Sequence, residues 1–294
     1  MNETRSISVF PGIELVYSDF HSYGNVSKRK KYKQDTMFIN YCHEGRIEWE
    51  LINGKYYYLG EGDLSIHRHG TKIKTETFPL EHYHGITIIL EMDKITTITP
   101  MLRSFGVNLE LLSNTFHNSS SFFIERADNT VKHIFTQLYG IPEKIKDTYI
   151  KLKILELFLF LSVINTSDYV EQQQYFRKSD IEKVKHLKEY LMKHIEEHIT
   201  LNALSEKFMI SQTLLKSCFK SIYGMPIYSF VRGFRMQKAA TLLTNTEERI
   251  AEIGLQVGYS NSSKFSAAFR DEFGLTPIEY RKKIRKNEFQ NEME

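Results

Sequence analysis

The feature that most constrains this chain is an internal repeat between residues 201 and 281. Leu201-Asn202-Ala203-Leu204-Ser205 returns at an offset of 49 as Ile250-Ala251-Glu252-Ile253-Gly254. After one inserted residue the offset is 50, and Leu215, Phe219, Lys220, Tyr223 and Gly224 return as Phe265, Phe269, Arg270, Phe273 and Gly274. A recurring spacing of apolar, small and glycine residues means a recurring supersecondary unit. Each copy reads as two short helices about a tight turn.

In the second copy, Ile250 and Ile253 share a helix face. Gly254 is small enough for a neighbouring helix to approach, and Ser205 holds that place in the first copy. Gly258 supplies the positive φ that a tight turn needs, and Asn261 is a suitable N-cap. Phe265, Ala268, Phe269 and Phe273 form a buried stripe, and Gly274 stops the helix. Thr276-Pro277-Ile278-Glu279 then opens another helix with a capping box and a proline at its first position. Ser262, Ser263, Lys264, Ser266, Ala267 and Arg270 are left facing outward. The matching set in the first copy is Gln212, Thr213, Lys216, Ser217 and Lys220. Small, polar and basic side chains suit a helix that enters a DNA major groove, with donors for bases and cations for phosphates. A merely solvated face has no reason to recur fifty residues on.

On these residues the stretch resembles the DNA-binding domain of the AraC/XylS family of bacterial transcription regulators. The resemblance runs from Ile250 through Gly258-Tyr259 and Phe265-Ser266-Ala267-Ala268-Phe269-Arg270 to Phe273-Gly274-Leu275-Thr276-Pro277-Ile278-Glu279-Tyr280-Arg281. The first copy adds Phe219-Lys220 and Gly224-Met225-Pro226. Arg235, Ala239-Ala240 and Leu242-Leu243 complete the helix between the copies. The family usually carries an arginine on each recognition helix. This chain has Ser217 and Ala267 there, so an arginine-to-guanine contact is unavailable at those two positions, while DNA binding itself remains implied.

Charge agrees with this placement. Residues 178–286 carry 19 Lys and Arg against 12 Asp and Glu, whereas residues 1–177 carry 20 against 21. A basic half suits a phosphate backbone, although a surplus of 7 is too modest to argue DNA binding alone. The two cysteines, Cys42 and Cys218, fall in different expected domains, so no structural disulfide is expected. No signal peptide is read at the polar N-terminus. The longest apolar run, residues 154–164, is far short of the ~20 residues of a membrane span. The expectation is a soluble cytoplasmic protein with no membrane partner and no cofactor.

The front of the chain reads as β-rich. Residues 13–17 suggest a strand after the turn at Phe10-Pro11-Gly12. Residues 27–33 are a cationic run of the kind usually found in solvated loops. Residues 38–42 and 46–52 suggest two strands, the second with Ile47, Trp49 and Leu51 on one face and Arg46, Glu48 and Glu50 on the other. Asn53-Gly54 signals a two-residue hairpin turn, and further strands follow at 55–59, 64–66, 71–78 and 85–90. Many short strands indicate a sandwich or small barrel. Residues 54–64 resemble, more loosely, the cupin-like sensor barrel at the front of many AraC-family regulators, which implies an internal pocket for a small effector. His67 with His69, and His82 with His84, each place two imidazoles on one strand face. Pairing of those strands would let four nitrogens converge. The glutamate pattern of a metal-binding cupin is missing, and no metal is expected.

Residues 96–168 shift to helical character, with helices expected near 110–112, 128–139 and 144–164. In the last, Ile150, Ile154, Leu157 and Leu161 recur at helical spacing with Ile164, and Phe158 and Phe160 widen the apolar surface. These four are assigned to dimerisation, since a helix apolar on several sides must bury several sides. Residues 169–178 read as a linker. Ser179-Asp180-Ile181-Glu182 is a capping box for a bracing helix with Ile181, Val184, Leu187, Leu191 and Ile195 inward. Residues 226–243 form a long connector with Phe230, Phe234 and Leu242 inward. It must hold the recognition helices about 34 Å apart to reach successive major grooves.

The expected fold class is therefore α+β: a cupin-like β-barrel (1–95) with a helical dimerisation segment (96–168), a linker (169–178), an all-α domain with two helix-turn-helix units joined by a long helix (179–286), and an acidic tail (287–294). The expected function is that of a sequence-specific transcription regulator, not an enzyme. Its expected partners are double-stranded DNA, a small-molecule effector, a second copy of the chain and RNA polymerase. Two alternatives stand beside this: a front domain that only dimerises and contacts protein, and a cupin enzyme fused to a DNA reader. Activation and repression are not distinguished by these residues.

Overall fold

The computed structural model describes residues 3–21, 32, 35–69, 72–117, 123–164 and 176–291, with side chains described except at 115, 117 and 286–291. The chain divides into two compact units, Met1–Tyr175 and Phe176–Glu294. The cationic run at 27–33, Tyr32 apart, and the glutamine-rich part of the expected linker lie outside the described residues.

The first unit is built on strands β1 (Glu3–Phe10), β2 (Ile13–Phe20), β3 (Thr36–Leu51), β4 (Tyr56–Gly60), β5 (Asp63–Arg68), β6 (Ile73–Thr77), β7 (Tyr83–Glu91) and β8 (Phe123–Arg126). The strand order is β1-β2-β7-β3-β5-β8, antiparallel throughout, with β4 and β6 also paired to β3. Among the described residues no pairing joins β1 to β8, so hydrogen bonds do not close the sheet into a barrel. The two strands expected at 38–42 and 46–52 are one 16-residue strand. Its register shifts between Cys42 and Glu44, and Gly45 takes φ +82°. This bulge bends the strand, so its first half pairs with β5 and β7 and its second half with β4 and β6. A Cβ on Gly45 would meet the His82 carbonyl at 2.3 Å, which explains why glycine stands at the bend. The hairpin signalled by Asn53-Gly54 forms, but its loop is three residues long. Leu51 N–H donates to Lys55 O (2.8 Å), and Gly54 takes the positive φ.

Helices α1 (Met92–Ile95), α2 (Thr99–Ser104), α3 (Leu109–His117), α4 (Asn129–Gln137) and α5 (Lys146–Ser162) cover one face of the sheet. Ile39, Tyr41, Leu64, Ile66, Ile86, Ile88 and Leu90 pack there with Ile134, Phe135, Ile150, Ile154, Leu157, Phe158 and Leu161. The four side chains assigned to dimerisation are therefore corrected to core. Ile150, Ile154, Leu157 and Leu161 are all at most 1% exposed. Burial of each contributes about 1.5–3 kcal/mol to this unit. The side of α5 left uncovered carries Leu152, Leu159, Phe160 and Val163 instead.

The second unit is all helical: α6 (Lys178–Lys193), α7 (Leu201–Phe208), α8 (Gln212–Tyr223), α9 (Ile227–Asn245), α10 (Ile250–Gln256), α11 (Ser262–Phe273) and α12 (Pro277–Asn291). Helix α6 braces α7 and α8, and α9 braces α10, α11 and α12. The capping box at Ser179 does not form. Helix α6 begins at Lys178 with Arg177 at its N-cap and no side-chain cap bond. In α9 the buried residues are Ile227, Met236, Ala239, Ala240 and Leu243, with Leu242 partly buried. Phe230 packs on Phe219 and Tyr223, but Phe234 faces outward at 39% exposure, against expectation. No described helix is long and apolar enough to cross a membrane.

Candidate nucleic-acid interface and sensor interior

The two repeat copies fold as matching helix pairs. In the first, Thr200 accepts a bond from Ala203 N–H to start α7, and Met209 makes the turn with φ +49°. Ser211 accepts from Leu214 N–H (3.3 Å) to start α8, which ends at Gly224 with φ +79°. In the second, Arg249 N–H donates to Glu252 Oε2 (3.1 Å), Gly258 makes the turn with φ +82°, and Asn261 accepts from Lys264 N–H (2.9 Å). Helix α11 ends at Gly274 with φ +71°. Helices α8 and α11 are both 12 residues long. Their inner faces are fixed by Leu215, Cys218 and Phe219, and by Phe265, Ala268 and Phe269, all buried.

Burial of those faces turns the expected DNA-facing residues outward. Gln212, Thr213, Lys216 and Lys220 are exposed, and Ser217 is half-buried. Ser217 Oγ lies 3.1 Å from both Thr213 O and Leu214 O, so its proton is engaged inside the helix while its lone pairs stay available to accept. On α11, Ser262, Ser263, Lys264, Ala267 and Arg270 are exposed and Ser266 is half-buried. Ser262, Ser263, Ser266, Ala267 and Arg270 line one concave surface of about 400 Å³. Thr276 lines it too, although sequence reasoning gave that residue only a capping role; its place at the start of the helix following α11 was the available signal. Among the described residues Lys216, Lys220, Lys264 and Arg270 have no ion-pair partner.

Arg235, on connector α9, ties the segment between α6 and α7, which leads into the first copy, to the turn of the second copy. Its Nε donates to Ile195 O (2.8 Å) and its Nη2 to Glu197 O (2.9 Å), while the guanidinium lies over the Tyr259 ring. Arg281 does the equivalent at the other end of α9, with Nη1 donating to Glu248 O at 2.8 Å.

In the first unit the second half of β3, with β4 and β6, covers the other face of the sheet. Cys42, Ile47, Trp49, Leu51, Tyr57, Leu59, Phe78 and Tyr83 fill much of the space between. Burial pushes the Cys42 thiol well up from its ordinary range, with Asp63 adding to the effect, so it stays protonated and unreactive. Beside this cluster lies a polar rung across three strands. Thr87 Oγ1 donates to Asn40 Oδ1 (2.9 Å), and Asn40 Nδ2 donates to Ser65 Oγ (3.0 Å). His67 stacks on Phe38 at 5.1 Å and packs near Trp49, whose Nε1 donates to Glu76 (2.6 Å).

The four candidate histidines His67, His69, His82 and His84 do not converge. Strand β3 runs between β5, which carries His67, and β7, which carries His84. His82 Nδ1 pairs instead with Leu80 O (3.0 Å). His84 belongs to a different cluster, with Asp19 and His21.

The second unit thus defines a DNA-binding transcription regulator with two helix-turn-helix units on one rigid connector. A helix-turn-helix family model matches residues 204–283. The HTH-type transcriptional activator RhaR of Mannheimia succiniciproducens is 26% identical over 204 residues, covering 69% of this chain and 73% of that protein. An uncharacterized HTH-type transcriptional regulator of Staphylococcus aureus is 26% identical over 249 residues, covering 81% of this chain; the chain spans only 33% of that relative's length. Among solved structures, the C-terminal domain of AraT, a response regulator from Geobacillus stearothermophilus, is 33% identical (TM-score 0.34), with 34% of this chain covering 84% of it. ToxT from Vibrio cholerae is 12% identical (TM-score 0.37), with 94% and 98% covered. The helix-turn-helix match and the HTH-type relative support the AraC-type resemblance carried by residues 201–281.

Proposed function

We propose that this regulator reads double-stranded DNA with α8 and α11 in successive major grooves. Lys216, Lys220, Lys264 and Arg270 meet phosphates; Gln212, Thr213, Ser217, Ser262, Ser263 and Ser266 approach bases, with Ala267 allowing close approach. The observation that carries this reading is the pair of 12-residue helices, each independently capped and each presenting a slim, polar and basic face. The test is binding-site selection from random DNA, comparing wild type with Ser262→Ala, Ser263→Ala and Ser266→Ala. A change of preferred base confined to one half-site supports the assignment, and an unchanged motif in all three rejects it.

The front unit is proposed as a sensor whose effector occupies the region of Phe38, Asn40, His67 and Thr87. A ligand that prefers one arrangement of the chain shifts the population toward it. A flat thermal-shift screen of full-length protein against metabolites would instead favour a ligand-free contact module. That second reading is supported by the aromatic cluster around Trp49, Tyr57, Phe78 and Tyr83. We propose a cytoplasmic homodimer formed through the uncovered side of α5. There Leu152, Glu156, Leu159 and Val163 follow the four-three-four spacing of a coiled-coil seam. RNA polymerase is the remaining proposed partner.

A further inference from the structure

Asp19, on β2, is the register partner of His84, on β7. His21 follows Asp19 by two residues. The pleat therefore brings one carboxylate and two imidazoles to one face of the sheet, at the end of the β2–β7 pairing. Their ligand atoms lie within 4.8 Å of one another. Asp19 Oδ1 is 2.7 Å from His21 Nε2 and 3.3 Å from His84 Nε2. Yet this oxygen is shielded from solvent and forms no hydrogen bond. Buried oxygens without a bond are uncommon and call for an unseen water or ion.

A second such atom lies close by. Asp19 and His84 help to line a cavity of about 390 Å³, together with Arg5, Tyr17, Tyr139 and Lys146. The Tyr139 hydroxyl is likewise buried without a partner. Tyr17 and Tyr139 pack edge to face at 5.7 Å, and the Tyr17 hydroxyl is satisfied by Leu138 O (2.7 Å). The orphaned atoms thus belong to residues of one cavity wall.

We propose that Asp19, His21 and His84 bind a divalent first-row transition ion of the zinc class. The donor set is of the kind such ions take, two neutral imidazole nitrogens and one carboxylate oxygen. With metal–ligand distances of about 2.0–2.1 Å, tetrahedral coordination sets ligand atoms about 3.3 Å apart. The Asp19–His84 separation already matches. The His21 ring must retreat by about 0.6 Å on that geometry, which its half-exposed position permits. Three protein ligands leave a coordination position for water or an anionic ligand, and Arg5 and Lys146 in the same wall favour an anion. This site stands on the helix-covered side of the sheet, apart from the Asn40–His67 region proposed for the effector.

Full-length protein, stripped with a chelator and dialysed against zinc chloride, tests this directly. One zinc per chain is expected, with binding at least tenfold weaker in Asp19→Asn and in His84→Ala and unchanged in His67→Ala. No saturable zinc, or binding indifferent to both cluster substitutions, overturns the proposal. Zinc-edge X-ray absorption of the wild type is a second measurement that needs no variant. A shell with two imidazoles and light-atom ligands at about 2.0 Å supports the site; a shell with sulfur, or with no imidazole, overturns it.

Discussion

The two helix-turn-helix copies solve one geometric problem with different residues. The second copy turns on Gly258, where a Cβ would lie 2.7 Å from Arg235 Nη2 and 2.8 Å from Glu196 O. The first turns on Met209, whose side chain is 79% exposed at a φ of +49°. The helix crossings differ in the same way. An added Cβ on Gly254 would sit 3.3 Å from the Phe265 ring. The first copy has Ser205 and the smaller Leu215 there, and uses the extra atoms to bond Ser205 Oγ to Ile210 O (2.7 Å). What the repeat preserves is the backbone path. Packing partners are exchanged in pairs, and the second copy is the more crowded because the connector's Arg235 reaches into its turn.

The largest effects should come from breaking that asymmetry. Gly258→Ala adds a left-handed penalty of about 1–2 kcal/mol and an overpacking cost of about 1–3 kcal/mol. A denaturant midpoint far below wild type is expected. Met209→Gly removes a left-handed side chain and should leave stability level or raise it by up to about 1 kcal/mol. If the two changes shift the midpoint in the same direction, the turns are not equivalent in the way described.

Arg235→Ala comes next, with an expected loss of about 2 kcal/mol for two charge-assisted bonds to backbone carbonyls. It also opens space beside Gly258. The cost of Gly258→Ala should therefore be smaller in the Arg235→Ala background, and a double-mutant cycle that is strictly additive would refute the coupling. Because Arg235 fixes one copy against the other, its loss should weaken binding to a two-site DNA more than to either half-site alone.

Lys220 and Arg270 hold equivalent positions on α8 and α11. Each change to alanine should weaken binding to all sequences and lower the slope of log affinity against log salt by about 1. Equal changes mean that both helices meet DNA. A change for only one means that one copy reads and the other supports.

Most of the second unit was legible because local signals and the repeat agreed: caps at Asn261 and Thr276, stops at Gly224 and Gly274, and stripes of buried aromatics. The misses came where the deciding contact is non-local. Nothing near Gly45 announces that two strands are one. The apolar spacing of α5 shows that several sides are apolar, but not which side the sheet covers: it points to Ile150 and Leu157 as an interface, whereas the sheet buries these two and leaves Leu152 and Val163 exposed. Phe234 is apolar on a helix whose neighbours leave that side open. Asp19, His21 and His84 meet only through the pairing of β2 with β7, more than sixty residues apart in the chain.

The smallest expected effect concerns a cap that only the second copy has. Glu279 Oε2 accepts from Thr276 N–H (2.8 Å) and from the Thr276 hydroxyl (2.7 Å), whereas the first copy has Pro226-Ile227-Tyr228-Ser229 at that point. The backbone bond from Thr276 is the largest cause holding the Glu279 carboxyl below its ordinary range, with the hydroxyl bond next. A depressed folded pKa means that the carboxylate stabilises α12 above the unfolded value of about 4.3. That contribution is lost as pH falls through the lower folded value. Glu279→Gln should therefore melt slightly below wild type at pH 7, and the two melting curves should converge on acidification. A constant gap between them from neutral pH to about pH 3 would show that the side chain acts through packing rather than through its charge.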